Sequence, residues 1–391
     1  MLAPLLLTLL AACHGPGDTG FPQPTLGDLV QVVPSAGLPP EITVQDANNN
    51  LDVLDVDDTI FLAWRTAPTH FASEEATIYV VSSTDEEQWG YETTVHLGTD
   101  VREPRLAYLR ESRRLFLYFA VLGTDPFSFE PQGTMYVVRE HDGTWSEPAW
   151  LRQDTFIPWR VRAHQGQPQM MGYTGGDQIY DPDGLPQMNV EWLTSHDGVA
   201  WEPVAGASAV VHTGGASETD FRYLNDGSLV AVLRNEAGDE GGFGSLICTA
   251  QERSLGSWEC VHDLKKYDSP LVLGWGDTTW LIARRNLTET GNYDLEQGDL
   301  NFEARASAYA TAYSAEPKRC SLWQVFPQDK VVLFTLDLPS KGDTCFPAAI
   351  DRGAGAFTVY NYSNDVEGED YPWIQGQVQP TFIYRQDLQV P

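Results

Sequence analysis

Short runs of alternating apolar and polar residues fill most of the chain, separated by Gly-, Asp- and Asn-rich turn signals. The clearest unit runs from Ser217 to Asn235, with Asn225-Asp226-Gly227 at its centre and apolar or β-branched residues on both sides. Asn-Asp-Gly supplies the positive φ angles of a tight turn, so this stretch predicts a β-hairpin. The free ends of a hairpin lie together, away from the turn. Glu218, Asp220, Arg234 and Asn235 are therefore expected to cluster there. Similar hairpins are predicted over 51–65, 102–119, 159–173, 268–285 and 345–360. The six recur at intervals of roughly 50 to 60 residues, with one longer gap.

Second hairpins fall between them. Ser83–Trp89 and Ser195–Trp201 share Ser, Asp two positions later and Trp six positions later, and 141–145 and 255–258 are shorter echoes. In such a turn the Asp caps backbone N–H groups while the Trp buries its ring against the sheet, a structural device rather than a chemical one. Two hairpins per repeat make a four-stranded sheet. Six such sheets around an axis make an all-β, six-bladed propeller. A five-bladed propeller with a decorated edge and a pair of β-sandwiches are the alternatives. Residues 28–44 have no partner hairpin and are expected to add a strand to the last blade.

The N-terminal run Met1–Cys13 is apolar, lacks a basic start and ends Leu10-Ala11-Ala12-Cys13. That ending resembles the lipobox of bacterial lipoproteins, which implies a lipid on Cys13 and export. An ordinary cleaved signal is the alternative. Residues 14–27 read as a flexible tether and 28–391 as a single propeller domain. No later apolar run approaches membrane length, so contact with a membrane is expected only through the lipid. The formal charge of −31, from 24 basic and 55 acidic residues, argues against nucleic acid as a partner. Export fits an oxidising compartment, and Cys248 and Cys260 flank a strand-turn-strand, so we expect disulfides 248–260 and 320–345. No paired C-x-x-C spacing or nearby His supports a zinc site, and neither a metal nor a cofactor is expected. No feature of the sequence fixes an oligomeric state.

In a propeller the innermost strands line the axis, and the ends opposite their first turns open on one face. The repeats place Asn50, Asp52 and Arg65 there, with Arg102, Glu103 and Arg105, and Trp159, Arg160 and Tyr173. The later repeats add Glu218, Asp220 and Arg234; Asp268, Ser269, Arg284 and Arg285; and Tyr360, Asn361 and Tyr362. Arginines thus converge from up to five blades, and their planar forks suit a carboxylate ligand. Trp64, Trp159, Tyr173 and Tyr360 suit stacking on a sugar ring.

The blade-like repeats, the Ser-x-Asp turns and the stretch from Glu218 through Leu-Asn-Asp-Gly-Ser-Leu to Arg234-Asn235 resemble the sialidase superfamily over the whole mature chain. The resemblance implies a six-bladed sialidase-like propeller. It further implies three arginines on the substrate carboxylate, a Tyr nucleophile activated by a Glu, and an Asp acid/base. Glu218 and Arg234 match the family's Glu and second Arg. Tyr360 or Tyr362 matches the nucleophile, and Arg284 or Arg285 the third Arg. The family's early Arg-Ile-Pro is absent, so Arg65, Arg102 or Arg105 would stand in for the first Arg. The loop after Arg65 offers His70, Glu74 and Glu75 in place of a clear Asp. The expected function is a retaining glycoside hydrolase acting on an acidic carbohydrate, with a non-catalytic glycan- or protein-binding propeller as the alternative. Hydrolysis of neutral sugars by Asp52 with Glu103 or Glu218 is a third.

Overall fold

A computed structural model of the protein describes residues 23–180 and 184–391. Cys13 and residues 14–22 of the expected tether lie outside the described residues. Six antiparallel sheets are arranged as a six-bladed propeller, each named here from the axis outward. Blade 1 is Ala47–Val56, Thr59–Ala67, Thr77–Ser83 and Gly90–Val95. Blade 2 is Asp100–Leu109, Arg114–Leu122, Pro131–Arg139 and Ala149–Arg152. Blade 3 is Ile157–His164, Gln167–Thr174, Met188–Ser195 and Trp201–Pro203, with Val210–Gly214 also on its third strand. Blade 4 is Thr219–Tyr223, Leu229–Asp239, Gly242–Ala250 and Glu259–Asp263. Blade 5 is Leu271–Trp275, Thr278–Asn286, Lys318–Phe326 and Val331–Leu338. Blade 6 is Ala348–Gly353, Ala356–Ser363 and Phe382–Gln389, completed by Val30–Val33 and Thr25–Leu26, which both pair with Phe382–Gln389. The N-terminal segment therefore closes the ring, and it enters the sheet at Thr25, inside the span that the sequence assigns to the tether.

Middle strands read as continuous apolar runs because each is buried on both faces. In Leu229–Asp239, Leu229, Ala231 and Leu233 pack with Trp192 of blade 3, while Val230 and Val232 pack with Leu281 and Trp323 of blade 5. The Ser-x-Asp turns tie blade edges locally. Asp85 accepts backbone N–H groups from Glu87 and Gln88 at 2.9 and 2.8 Å, and Asp197 does so from Val199 and Ala200 at 2.8 and 2.7 Å. Cys248 and Cys260 are linked between neighbouring strands of blade 4, and Cys320 and Cys345 link blade 5 to the entry of blade 6.

One element departs from the strand pattern. Between the second and third strands of blade 5 the chain forms a helix, Phe302–Ala315, which starts where Asn301 accepts the Ala304 N–H at 2.9 Å. Its Tyr309 packs with Phe243 and Tyr293, and its Tyr313 reaches the axis side of the blade. A short turn of helix, Trp373–Gly376, lies against it and brings Trp373 to the same rim.

Candidate functional site

The innermost strands begin at one end of the axis, and there the backbone departs from regular pairing. Register slips at Asn49/Leu51, Arg102/Arg105 and Pro158/Arg160. Asn50, Glu103, Ser269 and Cys345 all have positive φ, between 43° and 81°. A bulge re-aims the side chains beside it, and three blades use one to turn polar groups toward the opening. The result is a cavity of about 390 Å³, a size that suits one sugar unit. Arg102, Glu103, Glu218, Arg234 and Arg284 line it, with aromatic walls from Trp159, Tyr173, Tyr180 and Phe346.

On the side of blades 4 and 5 the cations are embedded among acids. Arg234 Nη1 lies 2.7 Å from Glu218 and 3.2 Å from Glu236. Asp268 accepts from Arg284 at 3.1 Å and from the Tyr313 hydroxyl at 2.5 Å, with Lys266 at 3.5 Å. Glu218 also accepts the Ser269 N–H at 2.6 Å. Burial pushes the Glu218 carboxyl up to about 7; Arg234 opposes the shift and the Asp268 charge adds to it. Burial likewise raises Glu103, whose Oε2 has no hydrogen-bond partner among the described residues.

The side of blades 1 and 6 is different. Asp343, fully buried, receives the Tyr362 hydroxyl and the Trp373 indole N–H, both at 3.0 Å, and lies 2.7 Å from His70 Nδ1. Burial works to raise Asp343, but His70, Arg284 and the Tyr362 hydroxyl outweigh it and hold the carboxyl below its usual range. Burial and the Asp343 charge push the Tyr362 hydroxyl far up. Arg65 is fully buried, pairs with Asp100 at 2.8 Å and donates to the Phe71 carbonyl at 2.8 Å, so it anchors the loop that carries His70.

The structure thus brings Glu218, Glu103, Arg102, Arg234, Arg284, Trp159 and Tyr362 to one cavity. Asn50, His70, Tyr173 and Ser269 line it as well, and the remaining predicted residues lie elsewhere. Arg65 stands behind the loop. Arg105 lies deeper on the axis, its guanidinium 5.1 Å from the Trp159 ring and 4.6 Å from that of Phe346. Asp52, Arg160 and Asp220 lie farther down, because each sits beyond the bulge or the strand start of its blade. Arg285 points away to Asp337 at 2.6 Å, one residue out of phase with Arg284. The Tyr360 hydroxyl donates to Glu86 in a turn of blade 1, outside the cavity. Glu74 and Glu75 are exposed and do not line it. Asp343, Glu236, Lys266, Tyr180, Tyr313 and Trp373 were not among the expected residues. Asp343 has a sequence signal, an acid just ahead of an innermost strand as with Asp268, whereas Tyr180, Tyr313 and Trp373 come from loops and insertions. Among the described residues no group of three His, Cys, Asp or Glu side chains is placed to hold a metal ion.

No family model matches the chain, and no curated protein matches its sequence. Solved structures do share its fold. A protein of unknown function from Dyadobacter fermentans is similar at 13% identity and TM-score 0.61, over 95% of this chain and 100% of that one. Trypanosoma rangeli sialidase is similar at 12% identity and TM-score 0.56, over 94% of this chain but only 60% of the sialidase. Phage phi92 endosialidase is similar at 10% identity and TM-score 0.59, over 93% and 69%. At these identities the likeness concerns architecture alone. The chain folds as a sialidase-like six-bladed β-propeller.

Proposed function

We propose that the cavity at the propeller mouth binds an acidic sugar. The observation that carries this reading is the presence of three guanidinium groups, Arg102, Arg234 and Arg284, from blades 2, 4 and 5 around one cavity with aromatic walls. Planar forks suit the carboxylate, and rings such as Trp159 suit the apolar face of a pyranose. Sialidases among the structural neighbours act on sugars of this class, which supports the same ligand chemistry here.

A retaining hydrolase is the second reading, and the Tyr362–Asp343 hydrogen bond favours it. The Tyr362 oxygen would attack the anomeric carbon, its proton passing to Asp343, while His70 would protonate the leaving oxygen. Binding ranks first for two reasons. The Tyr362 hydroxyl bonds to Asp343 instead of Glu218, and the resting site holds its proton on Tyr362, since Tyr362 is pushed up and Asp343 held down. Neutral-sugar hydrolysis by Asp52 with Glu103 or Glu218 has no geometric support, because Asp52 faces the far end of the axis.

The test is a panel of sialosides and other acidic glycosides, scored for binding and for release of a fluorogenic aglycone. Binding without release identifies a lectin-like module. Release that Tyr362→Phe abolishes, with affinity retained, identifies the hydrolase. Failure of every acidic sugar to bind sinks both.

We also propose that the protein is exported and held at the cell envelope by a lipid on Cys13, on the strength of the Leu10-Ala11-Ala12-Cys13 ending. Cys13→Ser should move it from the membrane fraction to the soluble one, since the lipid is the hydrophobic anchor. A variant that still sediments with membranes rejects the lipobox.

A further inference from the structure

We propose a second anion site at the opposite end of the axis, where Arg160, Arg162 and Arg222 would take the phosphate, sulfate or carboxylate group of a small molecule. Past the mouth, the innermost strands of all six blades enclose another cavity of about 390 Å³. The two cavities are separated by Arg105, packed against the Trp159 and Phe346 rings that floor the mouth. The far cavity is therefore a site of its own.

Two of its three cations, Arg160 and Arg222, are positioned without a close carboxylate, while Arg162 is paired with Asp220. Arg160 is almost wholly buried, yet donates to the carbonyls of Pro270, at 3.2 and 3.1 Å, and Pro347, at 2.8 Å. The nearest carboxylate oxygen, from Asp220, lies 3.9 Å from its Nε. Arg222 donates to the Thr278 carbonyl at 2.5 Å, the Tyr223 carbonyl at 3.3 Å and the Thr279 hydroxyl at 3.3 Å, and makes no ion pair among the described residues. Asp220 is engaged already, by Arg162 and by the backbone N–H groups of Val272 and Phe221 at 2.6 and 2.8 Å. Burial raises the Asp52 carboxyl, so it too is a reluctant counter-ion. Carbonyl oxygens fix a guanidinium in place but leave its charge, and a buried unneutralised charge is costly until an anion arrives. Burial, with the Arg105 charge next, brings Arg160 down to about 10 against the opposing pull of Asp220 and Asp52, so it still carries its charge at neutral pH.

The backbone is shaped around this arrangement. A Cβ at Gly274 of blade 5 would lie 1.9 Å from the Arg222 guanidinium, so glycine there is what lets Arg222 lie across the neighbouring blade. The remainder of the protein is strongly acidic, which repels polyanions and leaves a small anion as the ligand that fits.

Calorimetric titration of the full chain with inorganic phosphate, sulfate and citrate, against chloride at matched ionic strength, tests the site. Arg222→Gln and Gly274→Ala should each weaken binding about 10-fold or more, the effect of losing one charge-assisted hydrogen bond. Arg234→Lys, at the mouth, should leave it unchanged. Gly274→Ala keeps the arginine and only displaces it, so the test stands even where Arg222→Gln fails to fold. The proposal is overturned if the parent binds none of the three anions at millimolar concentration, if both far-end variants bind as the parent does, or if Arg234→Lys alone abolishes binding. The last outcome would assign the anion to the mouth, leaving the acidic-sugar reading intact.

Discussion

At the mouth, Arg234 and Arg284 share Glu218, Glu236 and Asp268, all buried, whereas at the far end Arg160 and Arg222 are held by carbonyl oxygens. Both ends gather arginines around an opening of the same size. At the mouth all three arginines already have a carboxylate in place with which an incoming one must compete, whereas at the far end only Arg162 is closely paired, with Asp220. Counting arginines on a sequence treats the two ends alike; what separates them is which oxygen each guanidinium meets. The acids at the mouth make its cations structural as well as available, so the two ends should respond differently to loss of an acid.

The largest effect is expected from Asp268→Asn. That carboxylate faces Arg284, Lys266, Arg234 and the Tyr313 hydroxyl, and neutralising it strands several buried cations at a cost of about 3–5 kcal/mol. Asp220→Asn should cost less, because the Arg162 side chain left behind is partly exposed and keeps the Val272 carbonyl as a partner at 2.6 Å. Denaturant midpoints of the two variants give the comparison directly. Equal losses would mean that the far end relies on its acid as the mouth does.

Arg234→Lys probes the fork instead of the charge. Lys keeps the attraction to Glu218 and Glu236 but loses the planar two-pronged contact. Affinity for an acidic sugar should fall by roughly 30-fold or more, corresponding to about 2–5 kcal/mol, while the denaturation midpoint stays near that of the parent. Unchanged affinity with lost stability would make the Arg234–Glu218 pair part of the scaffold and nothing more.

Blade 4 shows how much of this was legible beforehand. Asn225-Asp226-Gly227 set the turn, the turn set the register Thr219↔Leu233, and the register put Glu218 beside Arg234. The same logic produced six blades and the Cys248–Cys260 pair, which left Cys320 and Cys345 for each other. Height along a strand was not legible. Tyr360 and Tyr362 share one phase, and only Tyr362 stands high enough to reach the mouth. Asp52, Arg105 and Arg160 were expected at the opening, but register slips near Asn50, Glu103 and Trp159 leave them below it. A bulge is a local choice of backbone dihedral with no composition of its own, so periodicity does not reveal it. The Phe302–Ala315 helix, an insertion outside the hairpin repeat, likewise left Tyr313 unforeseen.

The finest distinction between the two ends is in pH. Glu218, pushed up to about 7 by burial, is an Arg234 partner that changes charge in the neutral range. As pH falls through that value Glu218 gains a proton and its claim on Arg234 weakens, while the carboxylate of an acidic sugar stays ionised. Affinity at the mouth should therefore rise from about pH 8 to about pH 6, by at most about 10-fold per pH unit if one proton is coupled to binding. Stability carries the matching sign. The folded state holds this proton more tightly than the unfolded chain, where the carboxyl titrates near its ordinary 4.5, so the stabilising contribution is complete below that value and is lost as pH rises through about 7. Glu218→Gln removes the titration and keeps the shape. It should flatten the affinity profile and bind at the higher pH about as the parent does at the lower one. Binding of sulfate, which keeps its charge over this range, should be flatter at the far end, since Arg222 makes no ion pair among the described residues. A parent profile flat at the mouth, or a slope that survives in Glu218→Gln, would show that ligand and Glu218 do not compete for Arg234, and the contrast between the two ends would then rest on geometry alone.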